Sequence, residues 1–204
     1  MKFLWSGGQN EIDGRFAGVL TTPAHRQLPA SIKAGAMWAA DNQVFTKRFD
    51  SLAYFEWLNG RMLPYRENCL FVTVPDFVGD AHKTEEMFDY WYRHFAGWPL
   101  AFVAQDGQEL LDLPDAKFWE CLFVGGSTGW KESEAAIDVI KRAQAIGKHI
   151  HIGRVNWKRR YQLFTQLQGS EDFTCDGTRQ RFDGAEKTTR AWLDYQNSQT
   201  LKIW

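Results

Sequence analysis

"CLFVGGSTGWKESEAAIDVIKRAQAIGKHIHIGRV" (121–155) holds the fold in miniature. A short apolar run breaks at a glycine pair, an amphipathic stretch follows, and a second apolar run closes the segment. Ala135, Ile137, Val139, Ile140 and Ala143 recur at helical spacing within 131–146, and Gly147 is a natural helix stop. "CLFVGGS" (121–127) and "HIHIGRV" (149–155) read as strands. The segment is therefore a strand, a helix and a strand.

The same rhythm extends in both directions. Further short runs rich in Val, Phe, Leu and Ile are "KFLWSGG" (2–8), "FAGVLTTP" (16–23), "AMWAADN" (36–42), "LFVTVPD" (70–76), "LAFVAQDG" (100–107) and "DFTCDGT" (172–178). Helical patterns lie between most of them. Residues 47–59 carry Phe49, Leu52, Phe55 and Leu58, and residues 80–96 carry Met87, Trp91 and Phe95. Residues 157–168 and 185–197 complete the set, while the first two runs stand too close together for a helix. Apolar strands alternating with helices imply a parallel sheet covered by helices. The expectation is an α/β fold, a compact (β/α)8-type TIM barrel that is irregular at its N-terminal end. A length of 204 residues is close to the lower size limit of about 200 for that fold. A doubly wound open sheet is the main alternative. With no linker, low-complexity tract or repeat, residues 1–204 read as a single domain.

Composition narrows the function classes. A hydrophobic fraction of 44% and a charged fraction of 24% are ordinary for a soluble globular domain. No apolar run approaches the ~20 residues of a membrane helix, and the N-terminus turns polar too early for a secretory signal. The net charge of −1 announces no polyanion partner, although a local basic patch stays compatible with it. Cys69, Cys121 and Cys175 are widely separated, which suggests neither a disulfide framework nor a thiolate zinc site. The expected setting is a reducing cytoplasm. His149 and His151 share one face of a strand, but no third ligand stands near them in sequence, so no metal is expected. The ten tryptophans suit a core, and aromatic rings also stack on bases.

Parallel α/β folds place their sites at the C-terminal ends of strands. Those ends carry Asp41 and Asn42, then Asp76, then Gln105 and Asp106, then Gly125, Gly126, Ser127 and Thr128, then Gly153 and Arg154, and finally Asp176. Any one aspartate there reads first as a cap or turn residue. Asp80 before "AHKTEEMF" is such a cap, and Asp106-Gly107 is a turn. Together, three carboxylates and a glutamine on one rim can do acid, base and nucleophile work and can read the edge of a polar heterocycle. "GGSTG" (125–129) lacks the spacing of a nucleotide-phosphate loop, so its glycines are read as letting a flat ring lie against the backbone. Cations gather late in the chain. "NWKRRYQLF" (156–164) mixes aromatic rings with Lys158, Arg159 and Arg160, as a nucleic-acid backbone contact or as a solvated helix face.

The order of these strand ends resembles the tRNA-guanine transglycosylase superfamily, nearest to the phage and bacterial DNA-guanine transglycosylases that install 7-deazaguanines. "ADNQVF" (40–45) is similar to a shortened form of the family's D-S-G-G-[FY]-Q-V-F and puts Asp41 on the catalytic base. "VTVPD" (72–76) puts Asp76 on the base-recognising aspartate, "FVAQDG" (102–107) puts Gln105 on the base-binding glutamine, and "VGGSTGWK" (124–131) takes the place of G-G-L-A-V-G-E. "IHIGRVNWKRRYQLFTQLQGSEDFTCDGTR" (150–179) parallels the segment that ends in the nucleophile. The correspondence covers roughly residues 16–179 through short spaced motifs. It departs from the family in lacking the C-x-C-x-x-C plus His zinc site, in length, and in a nucleophile segment that is one residue short. Counting from the glycine puts the nucleophile at Thr174, and matching the strand-end aspartate puts it at Asp176, with Asp172 further back. Asp176 is the choice, because the chemistry needs a carboxylate at the rim.

The resemblance implies a guanine transglycosylase that exchanges guanine in a nucleic acid, DNA before tRNA, for a 7-deazaguanine base without a cofactor. Asp41 and Asp176 would be catalytic. Asp76, Gln105, Gly125, Gly126, Ser127 and Gly153 would hold the base, and Arg154, Lys158, Arg159, Arg160 and Arg179 the polymer. Two alternatives stand beside it: a nucleoside or base N-glycosylase in which water replaces the second base, and a non-catalytic nucleic-acid-binding protein on a decayed barrel.

Overall fold

A computed structural model describes residues 1–6, 16–25, 27–46, 49–156 and 158–177. Eight parallel strands close into a barrel in chain order. They are β1 (Lys2–Trp5), β2 (Gly18–Thr21), β3 (Trp38–Ala40), β4 (Cys69–Thr73), β5 (Leu100–Ala104), β6 (Cys121–Val124), β7 (His149–Ile152) and β8 (Thr174–Cys175). Each falls inside a run read from the sequence, except that β4 starts one residue earlier, at Cys69. The seam is the pairing of Lys2 with Thr174 and of Phe3 with Cys175. The barrel expectation therefore holds against the open sheet.

The helices are α1 (Ala30–Lys33), α2 (Ser51–Glu56), α3 (Ala81–Trp91), α4 (Thr128–Lys131), α5 (Glu134–Ala145) and α6 (Lys158–Thr165). Asp50, Asp80, Ser127 and Ser133 cap α2, α3, α4 and α5 by accepting from backbone N–H groups one turn on. The helix expected over 131–146 is two helices, because Ser133 starts a new one. The helix expected over 47–59 begins at its Asp50 cap and passes into a π-helical turn, Trp57–Met62, ahead of Pro64. Irregularity is not confined to the N-terminal end. Only short 3-10 turns, Gln108–Leu110 and Ala116–Phe118, join β5 to β6. The helix expected over 185–197 lies outside the described residues.

Side chains alternate across the barrel wall, as a strand's period of two requires. One set, including Val19, Trp38, Val72, Phe102, Leu122 and Ile150, packs outward in the main core beneath the helices. The other set, Leu4, Leu20, Ala39, Phe71, Ala101 and Cys121, fills the lower lumen. Alanine and cysteine on some strands leave room for Phe71, which is fully buried. The lumen is thus a packed plug, and anything that binds must do so above it. Trp5, Trp38, Trp98, Trp119 and Trp130 are buried.

Candidate active site

The inward-facing rhythm continues past the strand ends and builds the site. Two residues beyond Ala39 stands Asp41, beyond Phe71 stands Thr73, beyond Val103 stands Gln105, beyond Phe123 stands Gly125, and beyond Thr174 stands Asp176. All of these, with Asp76, Gly126 and Arg154, line one cavity of about 440 Å³. That volume suits a small heterocycle with its attached sugar.

The β3–β5 side is a network of neutral amides around one carboxylate. Asn42 Nδ2 donates to Asp76 Oδ1 at 2.9 Å, and Gln105 Nε2 donates to Asp76 Oδ2 at 2.6 Å. Gln105 Oε1 accepts from the N–H groups of Gly79 and Gly126 at 3.0 and 2.9 Å, which fixes the orientation of its amide. Burial pushes the pKa of Asp76 up, and the two amide hydrogen bonds oppose that only in part. Asp41 accepts from the Gln43 N–H at 3.0 Å. Burial, followed by the charges of Asp176 and Asp76, lifts its pKa to about 6 despite that hydrogen bond.

The β7–β8 side is charged. Asp176 Oδ1 accepts from the Arg154 N–H at 2.8 Å and lies 3.3 Å from His151 Nε2. Burial works to raise the Asp176 pKa. The hydrogen bond and charge of His151, the Arg154 N–H and the charge of Lys131 outweigh it, so the carboxyl sits below its ordinary value. Among the described residues its hydrogen bonds all fall on Oδ1, which leaves Oδ2 for the cavity.

Arg154 owes its position to two buried basic side chains, of which Lys131 has its pKa lowered to about 7 by burial and by the charges of Arg154 and Arg160. Lys131 Nζ donates to the Gly153 carbonyl at 3.0 Å, and Arg160 Nη1 donates to the Arg154 carbonyl at 2.6 Å. Arg154 takes a left-handed φ of 59°, uncommon for a residue with a side chain. Its guanidinium reaches the Gly126 carbonyl at 2.7 Å and lies over the Phe45 ring at 3.9 Å. The side chain thus crosses the cavity mouth from β7 towards the loop after β3.

Several expected positions move. Arg160 is buried and paired with Glu132 at 3.0 Å, so it cannot meet a polymer. It belongs to the buried stripe of α6 with Tyr161 and Phe164. Lys158 and Arg159 are exposed on the first turn of that helix, and Arg179 lies outside the described residues. Ser127 caps α4 and Gly153 accepts from Lys131, and neither lines the cavity. At Gly126, φ is 65° and an added Cβ would lie 2.5 Å from the Trp130 ring and 2.7 Å from Asp106 Oδ1. The protein's own side chains already require glycine there. Asp172 is exposed, pairs with Lys2 at 3.3 Å and precedes β8, so it stands at the opposite end of the barrel from the cavity. Thr174 points into the lumen below Asp176 and bonds His151.

The sequence reading gives no role to Lys131 and names Asn42 only as a strand-end residue. In sequence His151 reads only as a metal-ligand candidate, yet its i, i+2 relation to Gly153 puts it on the inward face. Among the described residues no group of three His, Cys, Asp or Glu stands close enough to hold a metal ion, and no helix is long and apolar enough to cross a membrane. Comparison with known proteins gave no matching family model, no matching curated protein and no matching solved structure.

Proposed function

We propose that the chain is a base-exchanging transglycosylase. It replaces guanine in a nucleic acid, DNA before tRNA, with a 7-deazaguanine through a glycosyl-aspartate intermediate. The observation that carries this reading is one cavity holding two carboxyls driven apart, Asp41 up to about 6 and Asp176 downward. Such a split assigns an acid and an ionised partner within one site.

Asp176 is the ionised partner. Its free Oδ2 attacks C1′ as the bond from C1′ to N9 breaks, and the electron pair leaves on guanine N9. The protonated Asp41 carboxyl gives that nitrogen its proton. In the second half, Asp41 carboxylate takes the proton from N9 of the incoming base. That nitrogen attacks C1′, and the electron pair of the ester bond returns to Asp176. Asp76 has each oxygen pinned once by an amide, so further lone pairs remain to accept from the N–H edge of a guanine-like ring. Lifting the target base from its stack costs a few kcal/mol, roughly, and the exposed Lys158 and Arg159 are placed to contact phosphates. The order of strand-end residues shared with the tRNA-guanine transglycosylase superfamily supports the same reading.

The test is incubation of the protein with a guanine-containing oligonucleotide, denaturation, and peptide mapping of the adduct, with and without a 7-deazaguanine base. An adduct on Asp176 and incorporation of the added base are expected. Guanine release without incorporation would make the protein a hydrolase, and absence of both would remove the enzymatic reading.

A further inference from the structure

Beneath the cavity floor runs a hydrogen-bonded column that the proposed chemistry has not used. His151 is fully buried, and its ring packs against Phe71 and Phe123 with centroids 4.9 and 4.7 Å away. Nε2 faces Asp176 Oδ1 at 3.3 Å, and Nδ1 lies 2.9 Å from Thr174 Oγ1. The same hydroxyl lies 2.7 Å from His149 Nε2. The column thus descends from Asp176 through His151 and Thr174 to His149, along adjacent inward positions of β7 and β8, where His151 pairs in register with Thr174.

The proton count along the column is constrained. An ionised carboxylate only accepts, so His151 Nε2 must carry a proton. The Thr174 hydroxyl has one proton and can donate to only one of its two imidazoles. With Nε2 of His151 protonated, a neutral ring has a bare Nδ1, and the hydroxyl must donate there. Burial lowers the His149 pKa to about 4, so near pH 7 His149 is neutral and can donate from Nε2 to Thr174 Oγ1, which leaves the hydroxyl proton for His151 Nδ1. The two phenylalanine rings oppose a flip of the His151 ring. The charged groups facing the column are Lys131, Arg154 and Asp41 around Asp176, and Lys2 and Asp172 beside His149.

We propose that His151 is a positioning residue for Asp176, held by Thr174 and His149 in the tautomer that donates from Nε2 to Oδ1. Together with the Arg154 N–H it places two donors on one oxygen and turns the other towards the substrate carbon. The role rests on the reading of Asp176 as nucleophile. The column itself does not depend on that reading, and the test separates the two.

Thr174→Val removes the hydroxyl at nearly constant volume. His151→Phe removes the donor, and His151→Gln restores an N–H. Long-range proton–nitrogen spectra of the resting protein report which ring nitrogen carries a proton, and carboxyl carbon shifts report the titration of Asp176. His151 of the unmodified protein is expected to be protonated at Nε2, and Thr174→Val to lose that single form. The Asp176 midpoint should rise by about one pH unit in His151→Phe and less in His151→Gln. In base exchange, kcat should fall about tenfold in Thr174→Val and about a hundredfold in His151→Phe, with KM for the base nearly unchanged. The acid limb of the rate profile should move up with the Asp176 midpoint. A bare Nε2 on His151, or an Asp176 titration that stays put in His151→Phe, would overturn the proposal. Spectra as expected without any exchange by the unmodified protein would keep the column and remove the transglycosylase reading.

Discussion

Asp76 and Asp176 stand on two sides of one cavity and are almost equally buried, at 7% and 6% exposure. Yet their pKa values move in opposite directions. The difference lies in their partners. Asp76 is held by the amides of Asn42 and Gln105, which fix its geometry but bring no charge. Asp176 has His151, the Arg154 N–H and Lys131 around it. Neutral donors hold a carboxylate in place while leaving much of its desolvation cost. Charged neighbours hold it and keep it ionised. On the proposed function, one side reads the base and the other forms the bond.

The largest effect should come from breaking the charged side. Asp176→Asn keeps the volume and loses the proposed nucleophile, and adduct formation should fall by about a thousandfold or more. Oligonucleotide affinity should stay within about threefold, because phosphate contacts supply most of it. Quenched-flow trapping and equilibrium binding check the two halves of this expectation.

Breaking the neutral side should cost stability instead. Gln105→Ala strips one donor from Asp76 and strands the N–H groups of Gly79 and Gly126. A loss of about 3 kcal/mol is expected from those unsatisfied groups, with a fall in Tm of roughly 6–12 °C in a calorimetric scan.

Asp41 sharpens the contrast through pH. Its folded pKa of about 6 exceeds its ordinary 3.8, so between those values the folded state binds more protons than the unfolded chain. Stability contributed by this group is therefore present below about pH 4 and lost as pH rises through 6. Asp41→Asn removes the dependence. Relative to the unmodified protein, the variant should gain about 2–3 kcal/mol between pH 4 and pH 8. Urea melts at the two pH values measure it, and a constant difference would contradict the assignment.

The smallest effect belongs to the rim. Lys158→Ala with Arg159→Ala should change stability by less than about 0.5 kcal/mol, since both side chains are exposed. The salt dependence of single-strand binding should flatten by about 1.4 in log–log slope for two lost phosphate contacts.

The strands were legible because each is a short apolar run ended by Gly, Asp or Asn, and a parallel barrel buries both faces of its strands. Asp41, Asp76, Gln105, Gly125, Gly126 and Asp176 were legible as strand-end residues, and the structure gathers all of them around one cavity. Direction was harder to read. Arg160 stands in a run of three cations, and only the position of Tyr161 and Phe164 on the same helical stripe shows that it turns inward. Lys131 looked like the start of a helix. Its burial follows from α4 ending under the Gly153 carbonyl, a tertiary contact with no local signature. The one-turn α1 lacks the length for periodicity to register.

The strand that closes the barrel is its shortest. β8 has two residues, Thr174 and Cys175, and joins β1 through the pairs Lys2 with Thr174 and Phe3 with Cys175. Asp176 follows it immediately. A folding chain with seven strands in place would have Asp41, Asp76 and Gln105 near their final positions but would lack the proposed nucleophile. On the proposed function, reactivity is thereby made conditional on completion of the ring, and a ring that reopens at this seam disarms itself.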